Sequence, residues 1–167
     1  MIKIFNSLFV TMFGIGKIKF MPGTFGSLAT TVFLFYLLQI IDISSNIILI
    51  GWIIIFIYSF YAVSTHTKNS KNKDPGEIII DEFLGQSIPI YLYEISHGTT
   101  KESEQAIIYY ILFFILFRYF DIMKPFPVNF LDKNFKNSFG VIMDDICAGF
   151  YVVLTLVCFM IVKSFVL

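Results

Sequence analysis

The sequence predicts an all-α integral membrane bundle of about four to five membrane-embedded helices, preceded by a short N-terminal interfacial or re-entrant helix. Three observations carry this. Of the 167 residues, 57% are hydrophobic and only 14% are charged. The mean hydropathy is +0.79. Five apolar runs alternate with short polar stretches. A water-soluble domain carries about 25% charged residues and could not cover so much apolar surface with polar groups.

Formal net charge is zero and basic residues are sparse, so no nucleic-acid partner is expected. Cys147 and Cys158 stand 11 positions apart in one apolar run, with neither metal-ligand spacing nor suitable geometry for a disulfide. They read as ordinary core residues. No internal repeat is visible, and residues 1–167 are expected to form one domain.

Residues 1–13 mix Phe, Leu, Val and Ile with one lysine, and Gly14, Lys17 and Lys19 follow. A signal peptide needs a longer unbroken core and a small-residue cleavage site, so this segment is expected to be retained. Met21-Pro22-Gly23-Thr24-Phe25-Gly26-Ser27 then leads into the apolar run 28–41. Thr24 suits a helix cap, and the glycines let backbone N–H groups approach a ligand, so a phosphate could sit on this helix terminus. A plain Pro-Gly turn is the simpler alternative.

Residues 42–46 form a polar turn. The run 47–63 is long enough to cross a bilayer, because a helix rises about 1.5 Å per residue and the hydrocarbon core is about 30 Å thick. It exits into the most polar stretch of the chain, 64–73. Asp74-Pro75-Gly76-Glu77 has the order of a helix start, with Asp74 as cap, Pro75 at the first helical position and Glu77 closing a capping box. Capping explains Asp74 and Glu77 without function. It does not explain Asp81 and Glu82, adjacent carboxylates inside an apolar helix, with Asp81 one turn after Glu77. Burying such charge is expensive without a cation or a basic partner. This helix is expected to run over 74–93, short for a full crossing, and 94–103 to form a polar loop.

The next helix, about 102–120, delivers Arg118, the only arginine, followed by Asp121 and Lys124 at three-residue spacing, before Pro125 and Pro127 stop it. Positive charge marking a cytoplasmic helix end is the simpler reading of Arg118 and Lys124. After a loop of about 18 residues, the last helix begins near Val141 with Asp144 and Asp145 at its start. Ala148 and Gly149 beside them would let a neighbouring helix approach closely.

If every run crosses, the Pro-Gly-Thr turn, residues 64–82, Arg118 to Lys124 and Asp144-Asp145 all fall on one face. That face also holds Lys17, Lys19, Lys68, Lys71, Lys73, Lys133 and Lys136, whereas Lys101 and Lys163 lie opposite. Positive charge faces the cytoplasm, so the motif face is expected there. Asp74, Glu77, Asp81, Glu82, Asp121, Asp144 and Asp145 cannot all stay ionised in a small low-dielectric space without a cation. Carboxylates without a His or Cys cluster favour Mg2+ over Zn2+, and magnesium completes its shell with substrate phosphate. Arg118 and Lys124 suit the remaining phosphate oxygens. Metal-dependent phosphoryl chemistry follows, with either water or an aspartate as nucleophile. His66 and His97 read as loop histidines outside the chemistry. A small cation carrier would use the same acids, but should leave polar residues near the bilayer midplane.

Met21-Pro22-Gly23-Thr24-Phe25-Gly26-Ser27, Asp74-Pro75 with Asp81-Glu82, the stretch from Phe117 to Pro127, and Gly140-Val141-Ile142-Met143-Asp144-Asp145 with Ala148-Gly149 resemble the motifs of the phosphatidylglycerophosphatase A family, in the family's order. Phe126 stands where tryptophan is common. The resemblance implies a bacterial inner-membrane, Mg2+-dependent phosphatase, facing the cytoplasm, that converts phosphatidylglycerophosphate to phosphatidylglycerol. On this reading Asp81, Glu82, Asp144 and Asp145 serve as metal ligands or base, with Asp121 next to them. Arg118, Lys124, Thr24, Gly26 and Ser27 serve the phosphate, while Asp74 and Glu77 either join them or cap. The same site would serve another lipid phosphate, such as a polyprenyl pyrophosphate.

Overall fold

The computed structural model describes residues 2–68, 76–97, 103–135 and 137–166. Among these there are helices and no strand: α1 (Ile2–Val10), α2 (Pro22–Phe35), α3 (Ser45–Thr67), α4 (Ile80–His97), α5 (Ser103–Met123), α6 (Val128–Asn134) and α7 (Ser138–Val166). Four segments are long and apolar enough to cross a membrane: Pro22–Ile40, Ser45–Thr67, Glu104–Met123 and Ser138–Phe165. Large apolar side chains such as Ile50, Ile54 and Ile57 on α3 point outward. Such a surface suits hydrocarbon rather than water.

Each helix solves a local problem in a way the sequence explains. Pro22 occupies the first position of α2, where its missing N–H costs nothing. Within α2, the buried hydroxyls of Ser27, Thr30 and Thr31 donate to the carbonyls of Gly23, Gly26 and Ser27, four residues back, at 2.8–2.9 Å. They are satisfied inside their own helix. A wider turn over Tyr36–Ile40 extends α2 before α3 begins. Short α1 lies against α3, where the Tyr58 hydroxyl donates to Asn6 Oδ1 at 2.5 Å and Phe9 meets Tyr58 edge-on.

Helix α4 is the centre of the bundle. One apolar cluster joins it to α1, α3 and α7 through Val10, Val63, Leu84 and Ile142; the other joins it to α2, α5 and α7 through Leu34, Ile90, Phe113 and Val152. Its closest neighbour is α7. A Cβ added to Gly149 would lie 2.3 Å from the Gly85 carbonyl oxygen, and one added to Gly85 would lie 2.3 Å from the Asp145 carbonyl oxygen. The glycine contact expected at Gly149 is therefore present, with Gly85 as its counterpart. Pro89 has no N–H to offer Gly85, four residues back, so the carbonyl facing Gly149 lacks its usual intrahelical donor.

Several expected boundaries move. Helix α4 starts at Ile80, not at residues 74–77: Gly76 and Glu77 form a turn, and the Ile79 N–H donates to the Val10 carbonyl at 2.9 Å. Anchoring this segment to α1 overrides the capping order read in the sequence. Asp74 lies outside the described residues, as do Lys71, Lys73, Lys101 and Lys136. At its other end α4 continues through Glu94 to His97 instead of stopping at Tyr93. Part of the expected loop before the last helix is α6, and α7 begins at Ser138, which puts Asp144 and Asp145 in its second turn. Thr24 does not cap α2; Met21, in the left-handed region at φ 47°, occupies that position without a side-chain cap.

Candidate active site

Helix α4 spans 18 residues, about 27 Å at 1.5 Å per residue, and so reaches from one end of the bundle to the other. The start of α2, the starts of α4 and α7 and the end of α5 therefore meet at one end. The glycine contact sets how closely. Because Gly85 touches the Asp145 backbone, the acidic pairs one turn up α4 and along α7 face each other across a very short gap. Carboxylate oxygens of Asp81, Glu82 and Asp145 all lie within 4.8 Å of one another.

The two acidic pairs share a local arrangement. Asp81 Oδ1 accepts the N–H of Glu82 at 3.1 Å, and Asp144 Oδ1 accepts the N–H of Asp145 at 3.0 Å. In each pair the first aspartate is tied to its own helix. Asp144 stands outside the three-carboxylate group; its Oδ2 accepts from Lys124 Nζ at 3.0 Å. Lys124 ends α5 in a left-handed conformation, φ 44°, rare for a residue with a side chain.

Arg118 links three elements. Its Nη1 lies 2.7 Å from Asp121 Oδ2 and donates to Ser27 Oγ at 3.4 Å. It also flanks Gly23, where an added Cβ would meet Arg118 Nη1 at 3.2 Å and Glu82 Oε1 at 2.1 Å. With the Glu82 carboxylate in this position, only glycine fits opposite it on α2. Between these groups lies a cavity of about 330 Å³ whose wall includes Gly23, Thr24, Asp81, Glu82, Arg118, Asp121, Lys124, Asp144 and Asp145. Glu82 Oε2, Arg118 Nε and Thr24 Oγ1 are buried without a protein partner.

The structure thus brings together nine residues of the cavity wall, of which all but Gly23 were expected as site residues from the sequence. Gly26 and Ser27 stand behind the wall: Gly26 faces Ile79, and Ser27 is fully buried and reaches the cavity only through Arg118. Glu77 points elsewhere, with His66 Nε2 at 2.9 Å from its Oε1. The His97 side chain lies outside the described residues.

Sequence reasoning missed two polar residues deeper in α4, and polar groups are not confined to the site end. Gln86 is fully buried, and both its amide atoms lack a protein partner. Glu94 is buried near the opposite end, accepting from Gln39 Nε2 at 2.7 Å and from the Tyr110 hydroxyl at 2.9 Å. Their four-residue spacing from Glu82, interrupted by buried Ile90, was the available signal.

Chemically, three carboxylates at this distance, two buried and one half-buried, fit a hard divalent cation, because oxygen ligands alone are on offer and one carboxylate oxygen has no partner. Next to them, a guanidinium and an ammonium suit an anion with several oxygens.

A family model described as Phosphatidylglycerophosphatase A matches residues 8–160. A Haemophilus influenzae protein named "Phosphatidylglycerophosphatase A" is 35% identical over 142 residues, 85% of this chain and 80% of the relative. One from Escherichia coli K12 with the same name is 30% identical over 139 residues, 82% of this chain and 73% of the relative. A Bacteroides thetaiotaomicron protein named "Putative phosphatidylinositol-3-phosphatase" is 31% identical over 142 residues, 84% of each chain. No solved structure matches the chain.

Proposed function

Because the chain belongs to the phosphatidylglycerophosphatase A family, we propose that it is a Mg2+-dependent lipid phosphatase that hydrolyses phosphatidylglycerophosphate to phosphatidylglycerol and inorganic phosphate. The observation that carries this reading is the convergence of Asp81, Glu82 and Asp145 with Arg118 and Lys124 on one small cavity.

Hydrolysis breaks the bond between phosphorus and the lipid's glycerol oxygen; the oxygen of water joins phosphorus, and a proton passes to the departing oxygen. Arg118 and Lys124 neutralise the phosphate's charge, Arg118 as a planar fork and Lys124 as a point charge. Both already hold carboxylates, Asp121 and Asp144. An arriving phosphate shares these cations, which loosens the two aspartates and leaves either one as a base for the attacking water's proton. Asp81, Glu82 and Asp145 would hold Mg2+, which when bound would supply positive charge to the phosphate. Thr24 Oγ1, unpartnered on the cavity wall, offers a further hydrogen bond.

The site sits at a helix-end level, where a membrane lipid presents its headgroup. Lys17, Lys68 and Lys133 belong to segments at the same end of the bundle and Lys163 to the last turn of α7, which supports a cytoplasm-facing site in a bacterial inner membrane. The name of the Bacteroides relative favours a second substrate, a phosphoinositide, on the same machinery. The deciding experiment measures Mg2+-dependent phosphate release by purified protein from phosphatidylglycerophosphate, phosphatidylinositol-3-phosphate and a polyprenyl pyrophosphate. Release from the first with the highest kcat/KM is expected. Release from either other lipid and none from phosphatidylglycerophosphate would reassign the substrate.

A further inference from the structure

We infer that the outer seam between α2 and α5 is the seat of an acyl chain of the lipid whose phosphate occupies the cavity, and that the lipid enters sideways from the bilayer between Met21 and Ile122. The inference rests on the lipid-phosphatase reading above and adds where the rest of the substrate goes.

Most of the cavity wall is buried or half-buried. Among the described residues, its exposed members are Met21, Ile122 and Gly76. Two of these three are large apolar side chains, 47% and 61% exposed, placed at the first residue before α2 and the last turn of α5. A mouth meant for a soluble phosphate ester would not be rimmed this way, because each such side chain loses free energy to water. Met21 is also held in the left-handed region, φ 47°. Non-glycine residues there are strained and concentrate at ligand clamps.

The apolar rim continues along the seam. Arg118 reaches across to Ser27, so its face of α5 borders α2. Ile122, Ile115 and Ile111 lie four residues after, three before and seven before Arg118, on that same face, and all three are exposed. On α2, Met21 and Leu28 flank Thr24 at spacings of three and four, and both are exposed. From Ile122 to Ile111 the track runs 11 residues, about 16 Å at 1.5 Å per residue. One leaflet of a hydrocarbon core is about 15 Å deep. Behind the far end of the track, Phe35 of α2 meets the buried Tyr110 of α5 edge-on, ring centres 5.4 Å apart, so the two helices stay in contact there. A strip with an arginine at its head and a leaflet's length of apolar side chain below fits one ligand class: a membrane lipid ending in a phosphate.

The test compares two substrates of wild-type protein in vesicles of phosphatidylethanolamine: diacyl phosphatidylglycerophosphate and its water-soluble deacylated headgroup. Leu28→Gln with Ile115→Gln is expected to lower the ratio of kcat/KM for the diacyl over the deacylated substrate about tenfold. Ile50→Gln with Ile54→Gln, on the exposed face of α3, is expected to leave the ratio as in wild type. An unchanged ratio in the seam variant, or an equal drop in the α3 variant, overturns the inference while leaving the phosphatase reading intact. Wild-type protein that releases phosphate from neither substrate overturns the phosphatase reading itself. A second measurement uses unaltered protein and a non-hydrolysable phosphonate lipid with a photoreactive group in one acyl chain. Adducts enriched on residues 21–28 and 111–122, relative to the same chain on phosphatidylethanolamine, are expected, and equal labelling overturns the seat.

Discussion

Two buried acidic sites occupy opposite ends of the bundle, and they are built on different terms. At the far end Glu94 is 1% exposed, and neutral donors, the Gln39 amide and the Tyr110 hydroxyl, hold its Oε1. Helices α2, α4 and α5 are stapled there through one carboxylate. At the near end three carboxylates crowd within 4.8 Å, two further aspartates hold Arg118 and Lys124, and buried oxygen and nitrogen atoms of Glu82, Arg118 and Thr24 have no protein partner. The contrast teaches that burial alone does not mark a functional acid. What marks one is charge in excess of its protein partners, beside a cavity that could bring the remainder.

The sharpest way to break the comparison is to neutralise one acid at each end. Asp145→Asn is expected to lower kcat by about 1,000-fold or more, whereas Glu94→Gln, which keeps a hydrogen-bonding amide among Gln39 and Tyr110, changes kcat by less than about threefold. Phosphate release from phosphatidylglycerophosphate measures both. A comparable loss from Glu94→Gln would erase the distinction between the two ends.

Removing divalent cations with a chelator should abolish turnover, and Mg2+ should restore it. The same addition should raise the unfolding midpoint of the detergent-solubilised protein, and Asp81→Asn should remove that rise, since binding only to the folded state stabilises it. A midpoint indifferent to Mg2+ in the wild type would leave the three carboxylates without their cation.

On the phosphate side, Lys124→Ala is expected to reduce kcat/KM about 10- to 100-fold, and Arg118→Lys to do the same despite keeping the charge, because the planar fork is lost. If Arg118→Lys is silent, Arg118 acts as a point charge or as a marker of topology.

The smallest effects sharpen the structural side. Gly23→Ala places a methyl 2.1 Å from Glu82 Oε1 and is expected to slow turnover about tenfold while leaving the unfolding midpoint nearly unchanged, because a carboxylate end can swing where a backbone cannot. Glu94→Leu, by contrast, is expected to cost about 1–3 kcal/mol of stability by taking the acceptor from the buried Tyr110 hydroxyl and the half-buried Gln39 amide, with little effect on kcat in the protein that folds. Thermal unfolding alongside the phosphatase assay separates the two outcomes.

Much of this was readable from residues in order. Asp81, Glu82, Asp144 and Asp145 announced themselves because carboxylates inside apolar helices need a reason, and Arg118 to Lys124 because the chain's only arginine ends a greasy helix. Other features misled for identifiable reasons. The order Asp74-Pro75-Gly76-Glu77 is a sound capping pattern, yet the Ile79 N–H is taken by Val10 and the helix starts later. Glu94 sits next to a polar stretch and looked like a loop, although two neutral donors on other helices keep it inside.

The sequence by itself determined that this chain belongs in a bilayer, which helix ends carry charge and that these ends share a side, because hydropathy, spacing and parity are properties of consecutive residues. Only the tertiary structure decided which acids touch. That choice rests on Gly85 and Gly149, where the absence of a side chain lets two backbones close to contact, and on Gly23, where it leaves room for the Glu82 carboxylate and Arg118. The distance between two helices depends on what faces each residue across the gap, which no single stretch of sequence records.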